Sequence, residues 1–372
     1  MPQVKPLDMI RLTLLASIFF AQQLPTIHST ELNNCEYLRN ITVSVAWGPL
    51  NFRKQYNKLT GCLGPEKFDE EINHLIIDGY PDQTIQRLGV DSIRKLDKLQ
   101  TLSITGIELE VLEPEAFKDL PGLKKVAIRD TQLREIPEDV FNLVPSLEAL
   151  DLMYNKIDTI EGRAFSNLTS IVSLALSHNA LSIWNREWFK NNKKLGYIDV
   201  SYNEIHTIPR RAFESLPSLK IINFQHNEIV RIQPHAFLNV KRLEYLFLNH
   251  NKLKVIQETA FPTKIHIVNL SIEHNYLNYL PAELLKMITV GNIYLEPNPW
   301  KCLCLKSIHF WIYLTNAVVR KKWSECISNF SPICAVPQDR SLTCQEKVDN
   351  ELTQRYLEYL DNLIKPLSER CH

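Results

Sequence analysis

Apolar side chains recur along this chain in two combs that keep the same phase. Aligned on an asparagine, LEALDLMYNKI (147–157), IVSLALSHNAL (171–181), LGYIDVSYNEI (195–205), LKIINFQHNEI (219–229), LEYLFLNHNKL (243–253) and IVNLSIEHNYL (267–277) share the frame L-x-x-L-x-L-x-x-N-x-L at a period of 24. Two earlier copies, LQTLSITGIEL (99–109) and LKKVAIRDTQL (123–133), keep the apolar frame without the asparagine. A divergent first copy begins INHLII at Ile72, and a last one is VGNIYLEPNPW (290–300). The second comb is Phe117, Phe141, Phe165, Phe189, Phe213, Phe237, Phe261 and Leu285, each 24 residues after the last. The L-x-L segment alternates, so it predicts a short strand with leucines on one side and the intervening residues on the other. One unit alone cannot cover its leucines; stacked units form a parallel sheet over one continuous core.

Two apolar combs in phase over nine units resemble the leucine-rich repeat, across about Ile72–Asn298. The resemblance implies an α/β solenoid: a leucine-rich repeat horseshoe with a parallel concave sheet of about ten strands and disulfide-capped ends. It implies that Asn155, Asn179, Asn203, Asn227, Asn251, Asn275 and Asn298 bond backbone groups at the turn after each strand, as a ladder. The phenylalanines would fill the convex side. Residues 30–71 are expected as an N-terminal cap, 72–298 as the repeats, 299–344 as a cysteine-rich C-terminal cap and 345–372 as a helical tail. The stretch NPWKCLCLKSIHFWI (298–312) is similar to the C-terminal cap of extracellular members, insect ones in particular. In one cap pattern Cys302 and Cys304 are followed by Cys326 and Cys344; in another by Cys334 and Cys344. Both cannot hold, and the cysteines left over, Cys371 among them, would pair with each other or with another chain. Cys35 and Cys62 would close the N-terminal cover.

The cysteines and the N-terminus bear on compartment. All eight cysteines lie near the two ends, with 239 residues between Cys62 and Cys302 containing none. LTLLASIFFA (Leu12–Ala21), preceded by Lys5 and Arg11, is too short to span a bilayer and fits the apolar stretch of a secretory signal within residues 1–29, cleaved between 21 and 30. A secreted chain with this cysteine distribution reads as two stapled ends, not zinc sites, since no paired C-x-x-C motifs occur. Sequons at Asn40, Asn167 and Asn269 agree with export and predict glycosylation. No second long apolar run or hydrophobic tail predicts a membrane anchor. Of 372 residues 42 are basic and 42 acidic, which gives no general pull toward nucleic acid.

Candidate chemistry is sparse. His178, His226, His250 and His274 each precede a ladder asparagine, in a column that reads Gly106, Asp130, Tyr154, His178, Tyr202, His226, His250, His274, Pro297. The column follows from the repeat; a metal site would need the imidazoles to converge with an acid such as Glu273, and a pH-sensitive surface needs only their proximity. Asp151, His178 and Ser201 fall on successive strands, but no oxyanion hole or glycine-rich elbow accompanies them. No enzyme activity, cofactor or metal is expected. The outward strand positions do suggest a surface: Lys125, Arg129, Asp130 and Asp151 at one end, then Tyr154, Tyr197, Tyr202, Ile221, Tyr245 and Phe247, with Asp199, Asn223, Gln225 and Asn249 among them. Large outward apolar groups on a sheet mark a contact site, or else pack over one another. Trp184, Trp188 and the basic residues Arg163, Arg186, Lys190, Lys193 and Lys194 depart from the repeat, either by local repacking or as a second contact patch. The tail carries Val348, Leu352, Tyr356, Leu360, Leu363 and Leu367 at helical spacing, to fold back on the cap or to form an oligomer with another chain. The expected protein is a secreted recognition factor that binds an extracellular protein or glycan on its concave face, in innate immunity. Adhesion or developmental signalling is the alternative, and a matrix component a more distant one.

Overall fold

Each L-x-L segment forms a strand, and each strand pairs with the copies before and after it. In the computed structural model, residues 35, 37–80, 83, 85–320, 334–338 and 341–364 are described. The signal segment 1–29, Cys326, Cys371 and Leu367 lie outside the described residues.

The main sheet has thirteen strands among the described residues. An antiparallel hairpin, β1 (Ile41–Trp47) and β2 (Phe52–Leu59), precedes the repeats. The repeats supply ten strands: β3 (His74–Asp78), β4 (Thr101–Thr105), β5 (Lys125–Arg129), β6 (Ala149–Asp151), β7 (Ser173–Ala175), β8 (Tyr197–Asp199), β9 (Ile221–Asn223), β10 (Arg242–Phe247), β11 (Ile265–Ser271) and β12 (Ile288–Tyr294). A short β13 (Val318–Val319) closes the order. From β3 to β13 every pairing is parallel. Register follows the sequence period: Leu150, Leu174, Ile198, Ile222, Leu246 and Leu270 stand side by side, all buried.

Turning the chain after each strand would bury backbone groups without partners, and the ladder asparagines supply them. The Asn203 carboxamide oxygen accepts from Leu181 N–H at 2.9 Å, while its nitrogen donates to Leu176 O at 2.9 Å and Val200 O at 3.1 Å. Asn227, Asn251 and Asn275 repeat this arrangement one unit further on each time. At the N-terminal end Thr131 takes the asparagine's place and donates both its backbone N–H and its hydroxyl to Asn155 Oδ1.

Behind the sheet the phenylalanine comb is a continuous buried row. Phe117, Phe141, Phe165 and Phe189 stack at 6.0–6.3 Å between ring centroids, and Phe213, Phe237 and Phe261 at 4.9–5.0 Å. Trp184 sits between the two runs, 5.1 Å from Phe189 and 5.4 Å from Phe213. It occupies a position that is isoleucine in the neighbouring repeats (Ile136, Ile160, Ile208, Ile232), where paired two-residue strands form on the outer side. Both indoles are buried, Trp184 donating to Ala212 O and Trp188 to Ile160 O. The tryptophans therefore repack one unit and present no contact patch.

A solenoid exposes core at both ends unless something covers it. Strand β1 runs antiparallel to β3 and takes up the N-terminal edge, with Cys35 bonded to Cys62 behind it. At the other end helix α1 (Ala282–Met287) belongs to the last repeat, and helix α2 (Cys302–Thr315) lays Leu305, Ile308, Trp311 and Ile312 on the core. Disulfides join Cys302 to Cys334 and Cys304 to Cys344. Helix α3 (Asn350–Tyr359), capped by Asp349 accepting from Leu352 N–H, then folds back on the solenoid. Its Leu352 and Tyr356 are buried, Thr353 Oγ1 accepts from Asn278 at 3.1 Å, and Asn350 accepts from Lys254 at 2.9 Å. These apolar side chains are spent within the chain, so this part of the tail does not offer them to a second copy. No helix among the described residues is long and apolar enough to cross a membrane.

Candidate partner-binding face

Strand register sorts the outward side chains into rows across the concave sheet. One row runs Thr101, Lys125, Ala149, Ser173, Tyr197, Ile221, Tyr245, Asn269 and Asn292. The next holds Asp151, Ala175, Asp199, Asn223, Phe247, Ser271 and Tyr294. Neighbouring strands lie about 4.8 Å apart, so Tyr197, Ile221 and Tyr245 form one continuous apolar step. Phe247 extends it into the second row by stacking on Tyr245 at 5.4 Å. Tyr245 is exposed and the other three half-buried.

The polar residues beside this step form its floor. Asp151, Asp199 and Asn223 each turn one side-chain oxygen onto the backbone N–H two residues ahead, at Met153, Ser201 and Gln225. Asp199 is nearly buried and accepts through its other oxygen from the Tyr197 hydroxyl at 3.2 Å. Desolvation by burial, with the Asp199 charge next, pushes the Tyr197 phenol up to about 12. Asp151 also pairs with Arg129, at the charged end of the face.

Tyr154 and Tyr202 belong elsewhere. They lie in the column before the ladder asparagines, past the strand ends, and every residue there from Gly106 to His274 has a left-handed backbone, with φ between 51° and 67°. That conformation turns the side chains along the lip of the sheet, where they stack face to face: Tyr154, His178, Tyr202, His226, His250 and His274, at centroid distances of 4.3, 4.2, 4.2, 4.0 and 3.9 Å. The six aromatic and aliphatic residues proposed from the sequence thus form two surfaces, a step on the strands and a stack on the lip. Sequence reasoning placed the histidines in a column before the ladder asparagines but missed their backbone geometry. The signal was present in Gly106 and Asp130, residue types that tolerate positive φ, at the head of the same column.

Stacking is also what keeps the imidazoles from converging. Among the described residues no group of three or more His, Cys, Asp or Glu side chains could hold a metal ion. Asp151, His178 and Ser201 are each engaged separately: Asp151 with Arg129, His178 between two tyrosines, and Ser201 buried with its backbone N–H on Asp199. Of the three sequons, Asn40 and Asn167 are exposed, whereas Asn269 stands half-buried in the first concave row beside Tyr245. Its Nδ2 donates to Glu244 O at 3.0 Å, and its oxygen accepts from Asn292 at 2.9 Å.

Comparison with known proteins agrees with this architecture. The leucine rich repeat family model matches residues 121–181, 184–229 and 217–277. No curated protein matches the sequence significantly. Among solved structures, the chain is similar to one of the mouse RP105/MD-1 complex, with a TM-score of 0.57 at 22% identity, covering 73% of this chain and 46% of that one. It is also similar to human 5T4 (Wnt-activated inhibitory factor 1, trophoblast glycoprotein), with a TM-score of 0.49 at 20% identity over 76% of this chain and 92% of that one. For the Drosophila Toll–Spatzle complex the values are 0.49 and 20%, over 56% of this chain and 30% of that one. The first of these likenesses shows the fold: a leucine-rich repeat solenoid with disulfides at its ends.

Proposed function

We propose that this protein is secreted and recognises an extracellular protein or glycan through its concave face. The observation that carries the reading is the step of Tyr197, Ile221, Tyr245 and Phe247, which lie in register on a sheet whose floor is already hydrogen-bonded. Aromatic groups held in place lose little conformational freedom on binding, and such anchors dominate the energetics of protein contacts. The disulfides at both ends suit an oxidising compartment. A signal in residues 1–29 and glycans at Asn40 and Asn167 are parts of the same proposal. A glycan at Asn269 would stand next to Tyr245 and limit the partner to the N-terminal side of that strand; its remaining amide hydrogen can still reach Glu244 O.

Innate immunity is the setting we propose, from the resemblance of the repeats and C-terminal cap to insect extracellular members. Adhesion or developmental signalling is the alternative, and it would show as retention on particular cell surfaces. The test is crosslinking in extracellular fluid without reducing agent, followed by mass spectrometry of what is captured. Tyr245→Ala with Phe247→Ala should lower capture of the main partner by about tenfold or more while leaving secretion unchanged. Equal capture by the double variant would remove the concave step as the site.

A further inference from the structure

The strongest unassigned feature lies away from the concave face, where the loops before strands β8, β9 and β10 meet. A groove of about 710 Å³ runs across three repeats there, bordered by Lys190 and Lys193 on one side and by Lys241 and Arg242 on the other. Lys194 adjoins the first pair in sequence and, like the other four, is exposed. Lys193 and Lys241 hold the same repeat position two units apart, which places their rows about 10 Å from each other. The loop between them contributes Pro217 at that position, so the cations flank the groove instead of crowding its middle.

These charges have no internal use. The acids nearby are already committed: Glu187 to Arg186, Glu214 to Arg211 and Glu244 to Lys220. Among the described residues none of the five cations makes an ion pair. Since the whole chain has equal numbers of basic and acidic residues, this excess is local. The loop that carries three of the lysines is also fixed. Asn192, wholly buried, donates to Phe165 O at 2.9 Å and to Leu168 O at 2.8 Å, which anchors the segment between Lys190 and Lys193.

We propose that this groove binds a sulfated polysaccharide chain, through the row of cations formed by Lys190, Lys193, Lys194, Lys241 and Arg242. The chemistry of the lining selects this class over a protein. Leu216, Leu219 and Val240 are buried beneath the groove, and its exposed middle is Ser215, Pro217 and Asn239, with no aromatic or large aliphatic anchor. Protein interfaces are poor in lysine and rich in such anchors. Single-stranded nucleic acid would want rings to stack on, and the groove has none. A linear polyanion needs only spaced positive charge along an open channel, and it gains by releasing its counterions. This site is independent of the concave face, and either can fail without the other.

The test uses the full-length secreted protein and a size-defined heparin oligosaccharide at physiological salt, with binding read by calorimetry. The groove variant Lys193→Ala/Lys241→Ala/Arg242→Ala should bind about tenfold to one hundredfold more weakly. A control of the same charge change, Lys98→Ala/Lys156→Ala/Lys306→Ala, should bind as the unaltered protein does. Absence of heparin binding by the unaltered protein, or equal losses in the two variants, would overturn the proposal. Polyglutamate or unsulfated hyaluronan binding as tightly as heparin would overturn the sulfated class. Lysine acetylation of the unaltered protein gives a reading that needs no variant to fold: heparin should protect Lys193 and Lys241 but not Lys98 or Lys156. Protection of all four alike would count against the site.

Discussion

Asn227 shows what one side chain contributes to the turn after each strand. Alanine there would leave Ile205 N–H without its acceptor and would take one of two asparagine donors from Val200 O and from Phe224 O, which keep Asn203 and Asn251, all in a buried setting. The expected cost is about 1–3 kcal/mol, read as a lower urea midpoint at unchanged slope. Asn179 makes the same bonds but is half-buried, so water can replace some of them, and alanine there should cost less. Equal losses at the two positions would show that burial does not set the cost. Tyr197 offers a titration at the same scale. Its phenol is held up to about 12, against about 10 for a tyrosine in the unfolded chain. Its contribution to stability is therefore complete below pH 10 and is lost as pH rises from about 10 to about 12. Ultraviolet titration should show late-ionising tyrosines, since burial also raises Tyr279, and Asp199→Asn should bring down only Tyr197. Both the ladder and the concave step could be read from residue spacing. The left-handed lip column could not, because its tyrosines and histidines carry no backbone signature and only Gly106 and Asp130 hint at it.

At the scale of a repeat, the unit holding Trp184 and Trp188 departs from its neighbours. Trp184 stands where isoleucine pairs into a short outer strand in other units, and the outer ladder is interrupted there: residues 159–160 pair backward to 135–136, and 207–208 pair forward to 231–232. The indole instead bridges the two runs of phenylalanine and touches Phe224 as well, at 5.3 Å. Trp184→Ala should therefore cost about 3–5 kcal/mol, the range for emptying a large aromatic site in a packed core, measurable by thermal or denaturant unfolding. A loss below about 1 kcal/mol would mean the neighbouring units close over the gap. The sequence marked this unit as irregular, but it left burial and exposure open. Only the positions of the two indole N–H groups, each spent on a buried carbonyl, decide for burial.

Over the whole molecule the repeat frame carried most of the information, since a period of 24 sets both strand order and register. The ends were less legible for a physical reason: caps are irregular, and cysteine spacing alone allowed two pairings at the C-terminus. The described residues pair Cys302 with Cys334 and Cys304 with Cys344. The docking of helix α3 depended on Asn278 and Lys254, polar groups from two earlier units that nothing in the tail itself points to.

The two stacked rows differ in pitch, and the difference has a mechanical result. Rings on the lip follow one another at 3.9–4.3 Å, whereas the buried phenylalanines follow at 4.9–6.3 Å. The lip is already at the separation where attraction between atoms gives way to repulsion, so the horseshoe has no room to curl further along that edge. It can still open, at the cost of parting the rings. The solenoid behaves as a spring with a stop on one side: a guest slightly too wide can be admitted, and one too narrow cannot be gripped by tightening.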